Sequence, residues 1–252
     1  LKQPNVDFTI ETKVKRFLAH VGLQEIYSYS MVSKEIAAQT NSLESHLAIQ
    51  NPLTDDRVYL RKSLVPSLVE ILDQNTQAGQ LGLFEIANVY LPQPTGLPQE
   101  VLRLTLVGNT HYREIKGVLE SLCSEFFVDG LQFTQSSNTT ATISALHKKS
   151  STQEKATEVV LGSISVLEKK RTAIELEFTQ LLKIFKTHPT YQPIPKTALI
   201  SEDLTFTLPK EIRVGELLTA IQQVSPLVVK VDLKGIYQQN YSFAITYHDA
   251  KT

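Results

Sequence analysis

The sequence predicts an α+β protein: an antiparallel sheet with flanking helices, followed by a shorter β-α-β-β unit. Three observations predict it. Two strand-like runs, "LGLFEIANVYLP" and "VLRLTLVGN", are joined by the Pro/Gly-rich "PQPTGLPQ", which suggests antiparallel neighbours. Amphipathic helices stand beside such runs, the clearest being "YREIKGVLESLCSEFF", with Ile115, Val118, Leu119, Leu122, Cys123 and Phe126 on one stripe. A Pro-rich break, "THPTYQPIPK", then reads as a boundary between residues 1–188 and 189–252.

In chain order, "TKVKRFLAHVG" is helical, because Val14, Phe17, Leu18 and Val21 recur at helical spacing and Gly22 falls where a C-terminal cap belongs. "EIYSYSMVS" reads as a strand from its aromatic and β-branched content, and "HLAIQNP" as a brief one closed by Pro52. In "YLRKSLVPSLVEILDQN", Leu60, Leu64, Leu68 and Leu72 fall four apart, with Val65 and Val69 beside them. Pro66 is tolerated only in a first turn, so this helix begins near Ser63, a capping residue. Leu102, Leu104 and Leu106 share one strand face. "TTATISALH", "EVVLGSISVL" and "IELEFTQLL" are further strands. "DLTFTLP", the helical "VGELLTAIQQV", "LVVKVDLKGIY" and "YSFAITYH" close the chain in the order of the first three quarters of a ferredoxin-like split βαβ unit.

Composition narrows the function. The 252 residues, 42% hydrophobic, are enough for a sizeable core. A formal net charge of −1 excludes a broadly basic protein that coats nucleic acid, leaving room for a local patch. One cysteine excludes an internal disulfide framework and a Cys-based zinc site. No apolar run reaches the roughly 18 residues a membrane span requires, and no signal peptide is visible, so a cytoplasmic location and no membrane partner are expected. The chain begins at Leu1 and its sole methionine is Met31, the mark of a fragment.

The sequence carries little recognisable catalytic or metal-binding chemistry. GxGxxG, GxxxxGK[ST] and HExxH do not occur, and the six histidines are dispersed without metal-ligand spacing. Cys123 sits on an apolar helix face, which fits an inert buried thiol. Asp55 and Asp56 read as solvated loop carboxylates ahead of a helix.

The order and wording of these elements resemble the β subunit of bacterial phenylalanyl-tRNA synthetase over almost the whole chain. "KVKRFLAHVGLQEIYSYSMVS" is similar to the entry into that family's catalytic-like module. "NPLTDDRVYLRKSLVPSLVEIL" is similar to its Asn-Pro-Leu, Leu-Arg, Ser-Leu, Pro, Leu signature, "LFEIANVYLP" to its Leu-Phe-Glu-Ile-x-x-Val-Tyr strand, and "HYREIKGVLESLC" to the following helix. The resemblance implies a class II synthetase-like antiparallel sheet with flanking helices, then a truncated ferredoxin-fold anticodon-binding domain. It implies no catalytic residue and no metal or cofactor held by this fragment, since Mg and ATP are used by the parent enzyme through its α subunit. Consistent with that, "LFEIANVY" carries no arginine.

The partners implied are the α subunit, in an α2β2 assembly, and tRNA(Phe). Residues 51–72 resemble the class II motif 1 region, which places Asn51, Pro52, Leu60, Arg61, Leu64 and Leu68 at the subunit interface. On the terminal sheet, alternation puts Leu204, Phe206, Leu208, Val229, Val231, Leu233, Tyr241, Phe243 and Ile245 toward the helix. Thr205, Thr207, Lys230, Lys234, Thr246 and His248 then share an open, tRNA-binding side with Asp232. The family's Pro-x-x-Arg-Arg-Asp-Leu is here "ALISEDL", with Ser201 and Glu202 at the arginine positions. The competing assignments are a degenerate stand-alone tRNA-binding paralogue without an α partner and a single-chain synthetase.

Overall fold

A computed structural model of the chain describes residues 6–40, 43–147, 157–189, 191, 197–209, 212 and 214–249. It divides into two compact units, Leu1–Pro189 and Thr190–Thr252.

The first unit is built on a seven-stranded sheet of order β1-β4-β5-β9-β8-β7-β6. Its strands are β1 (Gln24–Glu25), β4 (Gly82–Leu91), β5 (Gln99–Gly108), β6 (Asp129–Gln135), β7 (Thr140–His147), β8 (Thr157–Leu167) and β9 (Arg171–Glu177). Every pairing is antiparallel except β1 with β4. Around it lie α1 (Val6–His20), α2 (Lys34–Ala38), α3 (Val65–Gln74), α4 (Tyr112–Glu125) and α5 (Phe178–Ile184), with a small ribbon of β2 (Met31–Val32) and β3 (Tyr59–Leu60).

Strand alternation sorts the two faces. Phe84, Ile86, Leu104, Leu106, Ile174 and Leu176 pack with α1, α4 and α5 into the main core. Leu83, Val89, Val101, Val107 and Ala173 point the other way, against Leu64 just ahead of α3 and Leu68 and Leu72 within it. Each fully buried leucine contributes roughly 1.5–3 kcal/mol of transfer free energy, so α3 is held by its own sheet.

Local chemistry sets the helix ends. The α1 helix stops at Gly22, whose φ of +96° only glycine adopts freely. Leu23 N–H bonds the Leu18 carbonyl at 3.0 Å and Gly22 N–H that of Ala19 at 3.1 Å, the Schellman pattern. Beyond the cap Val21 is exposed, while Ile10 joins Val14 and Leu18 inside. The α3 helix starts two residues after Ser63, with Pro66 in its first turn and Leu64 at the cap position. Ser63 still contributes, since its Oγ accepts the Val65 amide at 3.1 Å. On β8, a Cβ at Gly162 would overlap the Glu175 carbonyl oxygen, so only glycine lets β8 and β9 approach so closely at this bulge.

Several strand expectations fail. "EIYSYSMVS" forms only the two-residue β1 and β2, separated by residues 26–30, which form no strand. "HLAIQNP" contributes one isolated bridge, Ala48 to Tyr59. "IELEFTQLL" changes from β9 to α5 at Phe178, because Phe178, Leu181 and Ile184 recur at helical rather than strand spacing and all enter the core. β6 was not foreseen, its apolar content being low.

The second unit has β10 (Ile200–Thr207), α6 (Val214–Val224), β11 (Val228–Tyr237) and β12 (Asn240–Tyr247), in sheet order β10-β12-β11. β12 is antiparallel to both neighbours, the split βαβ arrangement. Phe206, Val231, Phe243 and Ile245 pack with Val214, Leu217, Leu218 and Ile221 of the helix segment. The alternation assignment needs one correction. A bulge between Val228 and Lys230 turns Val228 into the cluster and leaves Val229 exposed. Leu204 and Leu233 flank Phe243 in register, yet both remain exposed.

Candidate functional site

The residues expected at a subunit interface separate into two groups. Asn51 and Pro52 are exposed, and the adjoining Leu53 is 97% exposed. Leu60, in β3, is half-buried. Leu64 and Leu68 are fully buried in the unit's own core, and Arg61 is buried as well. The correction has a simple cause: the fourfold leucine spacing is real, but β4, β5 and β9 already cover the stripe.

Arg61 follows β3 and turns inward onto β4. Its Nη1 meets Glu85 Oε1 at 3.2 Å and donates to Ser28 Oγ at 2.7 Å. Nη1 also reaches the Ser28 and Tyr29 carbonyls, each at 3.4 Å, and Nε donates to the Asn88 carbonyl at 3.0 Å. Glu85 in turn accepts from Ser28 N at 3.1 Å and from Ser28 Oγ at 2.6 Å. A buried charge is tolerated only when paired and hydrogen-bonded, and both conditions are met here.

The outer surface of the same segment is aromatic. Tyr27 is 79% exposed and Tyr29 61%. The Arg57 guanidinium lies 3.4 Å from the Tyr29 ring centroid. Beside Tyr27, Lys15 bridges Glu11 at 2.9 Å and Glu25 at 3.0 Å. Burial draws the Lys15 ammonium down, but the hydrogen bonds it donates to these two carboxylates outweigh it and hold the group above its usual range. A hydrogen bond to Glu25 raises the Tyr27 phenol. Below, a groove of about 560 Å³ runs between this segment and α3, with Tyr27, Met31, Arg57, Glu70 and Ile71 among its walls.

A second carboxylate organises the start of α3. Glu175 on β9 accepts Ser63 Oγ and Leu64 N, both at 2.8 Å, and Thr105 Oγ1 at 3.3 Å, with Arg103 Nη1 at 3.5 Å. Thr105 is fully buried. Beyond α3 the same sheet face continues through Thr140, Thr142, Ser163 and Ser165, all half-buried. Such a surface offers neutral hydroxyls and a carboxylate already committed to four donors. Among the described residues no group of three or more His, Cys, Asp or Glu is placed to hold a metal ion. Cys123 is buried, which pushes its thiol up to about 12, away from reactivity.

On the second unit's sheet, Thr205 pairs in register with Ser242, Thr207 with Asn240 and Lys230 with Thr246, on the side away from α6. The Thr205 and Ser242 hydroxyls are 2.8 Å apart, and Thr207 donates to Asn240 Oδ1 at 2.7 Å. Lys230 Nζ lies 2.6 Å from Asp232 Oδ2, and Lys234 Nζ 3.8 Å from Asp203 Oδ2. Among the described residues, Lys230 and Lys234 on this face therefore each have an aspartate partner. Ser201, opposite Thr246, joins the open side, whereas Glu202, opposite Ile245, takes the helix side. His248 leaves the group: it lies past the end of β12, its Nε2 2.9 Å from Thr197 Oγ1.

Sequence reasoning missed Glu85, Glu175, Ser28 and the Tyr27–Tyr29 pair. Glu85 is the single acidic letter in apolar β4, and Glu175 sits between Ile174 and Leu176 in β9; such placement is the one signal that marks them.

Comparison with known proteins agrees with this architecture. A pyrrolysyl-tRNA synthetase of Desulfitobacterium hafniense superposes with a TM-score of 0.54 at 14% identity, over 70% of this chain and 66% of that one, a likeness of fold. The chain is 27% identical to the phenylalanine–tRNA ligase beta subunit of Fusobacterium nucleatum, across 93% of this chain and 33% of that protein. It is 27% identical to that of Onion yellows phytoplasma, across 94% and 30%, and 25% identical to that of Clostridium acetobutylicum, across 95% and 34%. The chain thus spans about a third of the length of these curated relatives. Residues 2–180 match the model of the phenylalanyl tRNA synthetase beta chain CLM domain. The chain belongs to the phenylalanyl-tRNA synthetase beta chain family.

Proposed function

We propose that this chain is a non-catalytic region of a phenylalanine–tRNA ligase β subunit, scaffolding an α subunit in an α2β2 enzyme that charges tRNA(Phe) at the expense of ATP. The observation that carries the reading is the state of Glu175. In a class II-like sheet this carboxylate serves as the cap of α3, accepting Leu64 N and Ser63 Oγ, and the face beyond it presents hydroxyls. Catalysis, ATP and Mg then belong to the α subunit, in a cytoplasmic assembly.

The docking surface draws on the exposed Asn51, Pro52, Leu53, Tyr27 and Tyr29, together with the half-buried Leu60. Tyrosine and arginine are enriched at the energetic centres of protein interfaces, and Arg57 stacks on Tyr29 here. The rival assignment, a stand-alone tRNA-binding protein, would rest on the second unit's open face, where Lys230 and Lys234 are each matched by an aspartate.

Co-expression of the full-length β chain with its α subunit tests the reading. Leu53→Asp should leave the thermal midpoint of β unchanged and reduce recovery of α. Undiminished recovery would remove residues 51–53 from the interface. Phenylalanine-dependent ATP–pyrophosphate exchange by this chain alone would overturn the non-catalytic assignment.

A further inference from the structure

We infer that the buried Arg61–Glu85 pair is a positioning device, holding the backbone of Ser28 and Tyr29 so that Tyr27 and Tyr29 are presented outward as rigid anchors. The inference rests on the interface reading above and names the residues that set its geometry.

Residues 26–30 lie between β1 and β2 and belong to no strand, so no ladder fixes them. The backbone groups of Ser28 and Tyr29 end on the ion pair instead, and that of Ser30 on the Arg61 backbone. Ser28 N–H donates to Glu85 Oε1, the Ser28 and Tyr29 carbonyls accept from Arg61 Nη1, and the Ser30 carbonyl accepts from Arg61 N at 3.0 Å. Just upstream, Ile26 N donates to the Phe84 carbonyl at 2.8 Å, on the residue before Glu85. The peptide from Ile26 to Ser30 is thus fastened to β4 and to Arg61 along its inner side, while the two tyrosine rings are largely exposed.

A buried ion pair is a poor device for stability alone, because desolvation offsets most of the Coulombic gain and an apolar replacement is often neutral or better. What an apolar replacement cannot supply is a fork of donors aimed at successive carbonyls. Rigid presentation matters for association, since side chains and loops that must be ordered on binding subtract from affinity. Tyrosines on a fixed backbone, one of them stacked under Arg57, avoid that cost.

The test compares two variants of the full-length β chain, each co-expressed with the α subunit. In Arg61→Met/Glu85→Leu, both charges are replaced together. The expected result is a thermal midpoint at or above wild type, faster amide exchange at residues 27–31, and α association weakened by about tenfold. In Tyr27→Ala/Tyr29→Ala, association should weaken similarly while exchange at the Ser28 amide, bonded to Glu85, stays as in the wild type. Wild-type α affinity in the charge-free variant would overturn the inference, as would unchanged exchange at 27–31. Failure of that variant to fold would also overturn it, by making the pair a requirement of the fold. A wild-type β chain that captures no α subunit would defeat the interface reading instead, and the exchange measurement separates the two failures.

Discussion

Glu175 Oε1 accepts the backbone amide of Leu64 at 2.8 Å, joining the start of α3 to β9 across 111 residues of sequence. A helix leaves its first amides without intrahelical partners, and a neighbouring Ser, Thr, Asp or Asn at the cap usually satisfies one. Here the cap residue is a leucine committed to the core, and the acceptor comes from the sheet.

Glu175→Ala should therefore destabilise the protein by about 2 kcal/mol, the combined effect of an uncapped helix and a buried Thr105 hydroxyl without this partner. In a unit of this size that corresponds to a fall in thermal midpoint of roughly 4–8 °C. Glu175→Gln keeps an acceptor oxygen and should recover about half of the loss. Calorimetry on the three proteins decides it, and equal midpoints would mean that water caps α3 equally well.

Leu64→Asp should unfold the chain. The side chain is fully buried between α3 and the sheet, so the substitution places an unpaired carboxylate among Leu68, Leu83 and Val107. The expected cost exceeds about 4 kcal/mol, in the range reserved for buried unpaired charges. Far-UV circular dichroism against urea measures it. A folded Leu64→Asp chain that loses only its α partner would return the stripe to the interface, as the leucine spacing alone had suggested.

What the sequence made legible was local. The Gly22 cap, the α4 stripe through Cys123 and the pairing of β4 with β5 each depend on residues close in the chain. Arg61 and Leu64 were misread because their partners are distant: Glu85 lies 24 residues away and Glu175 still further. Periodicity marks an apolar stripe but not what covers it, so a core stripe and an interface stripe look alike in one sequence. The change from β9 to α5 was hidden because "IELEFTQLL" is apolar at both periods, and only the packing of Leu181 and Ile184 separates them. Val229 was placed by strict alternation, which a bulge breaks.

The last prediction concerns the second unit's open face, where nucleic acid binding is a proposal. Lys230 and Lys234 were expected to meet phosphates, yet they face Asp232 at 2.6 Å and Asp203 at 3.8 Å. Both pairs are exposed, and such pairs contribute at most about 1 kcal/mol to stability. Their larger effect is on the field above the sheet: two cations and two anions cancel, and a polyanion gains little by approaching. Asp203→Asn/Asp232→Asn removes the anions, keeps the side-chain shapes and frees both lysines. Affinity of the full-length β chain for tRNA should then rise, and the slope of log K against log salt should steepen by about one for each lysine that gains a phosphate. Lys230→Glu/Lys234→Glu should weaken binding uniformly across tRNA sequences. If the asparagine variant binds as the wild type does, with an unchanged salt slope, this face is not where the nucleic acid lies.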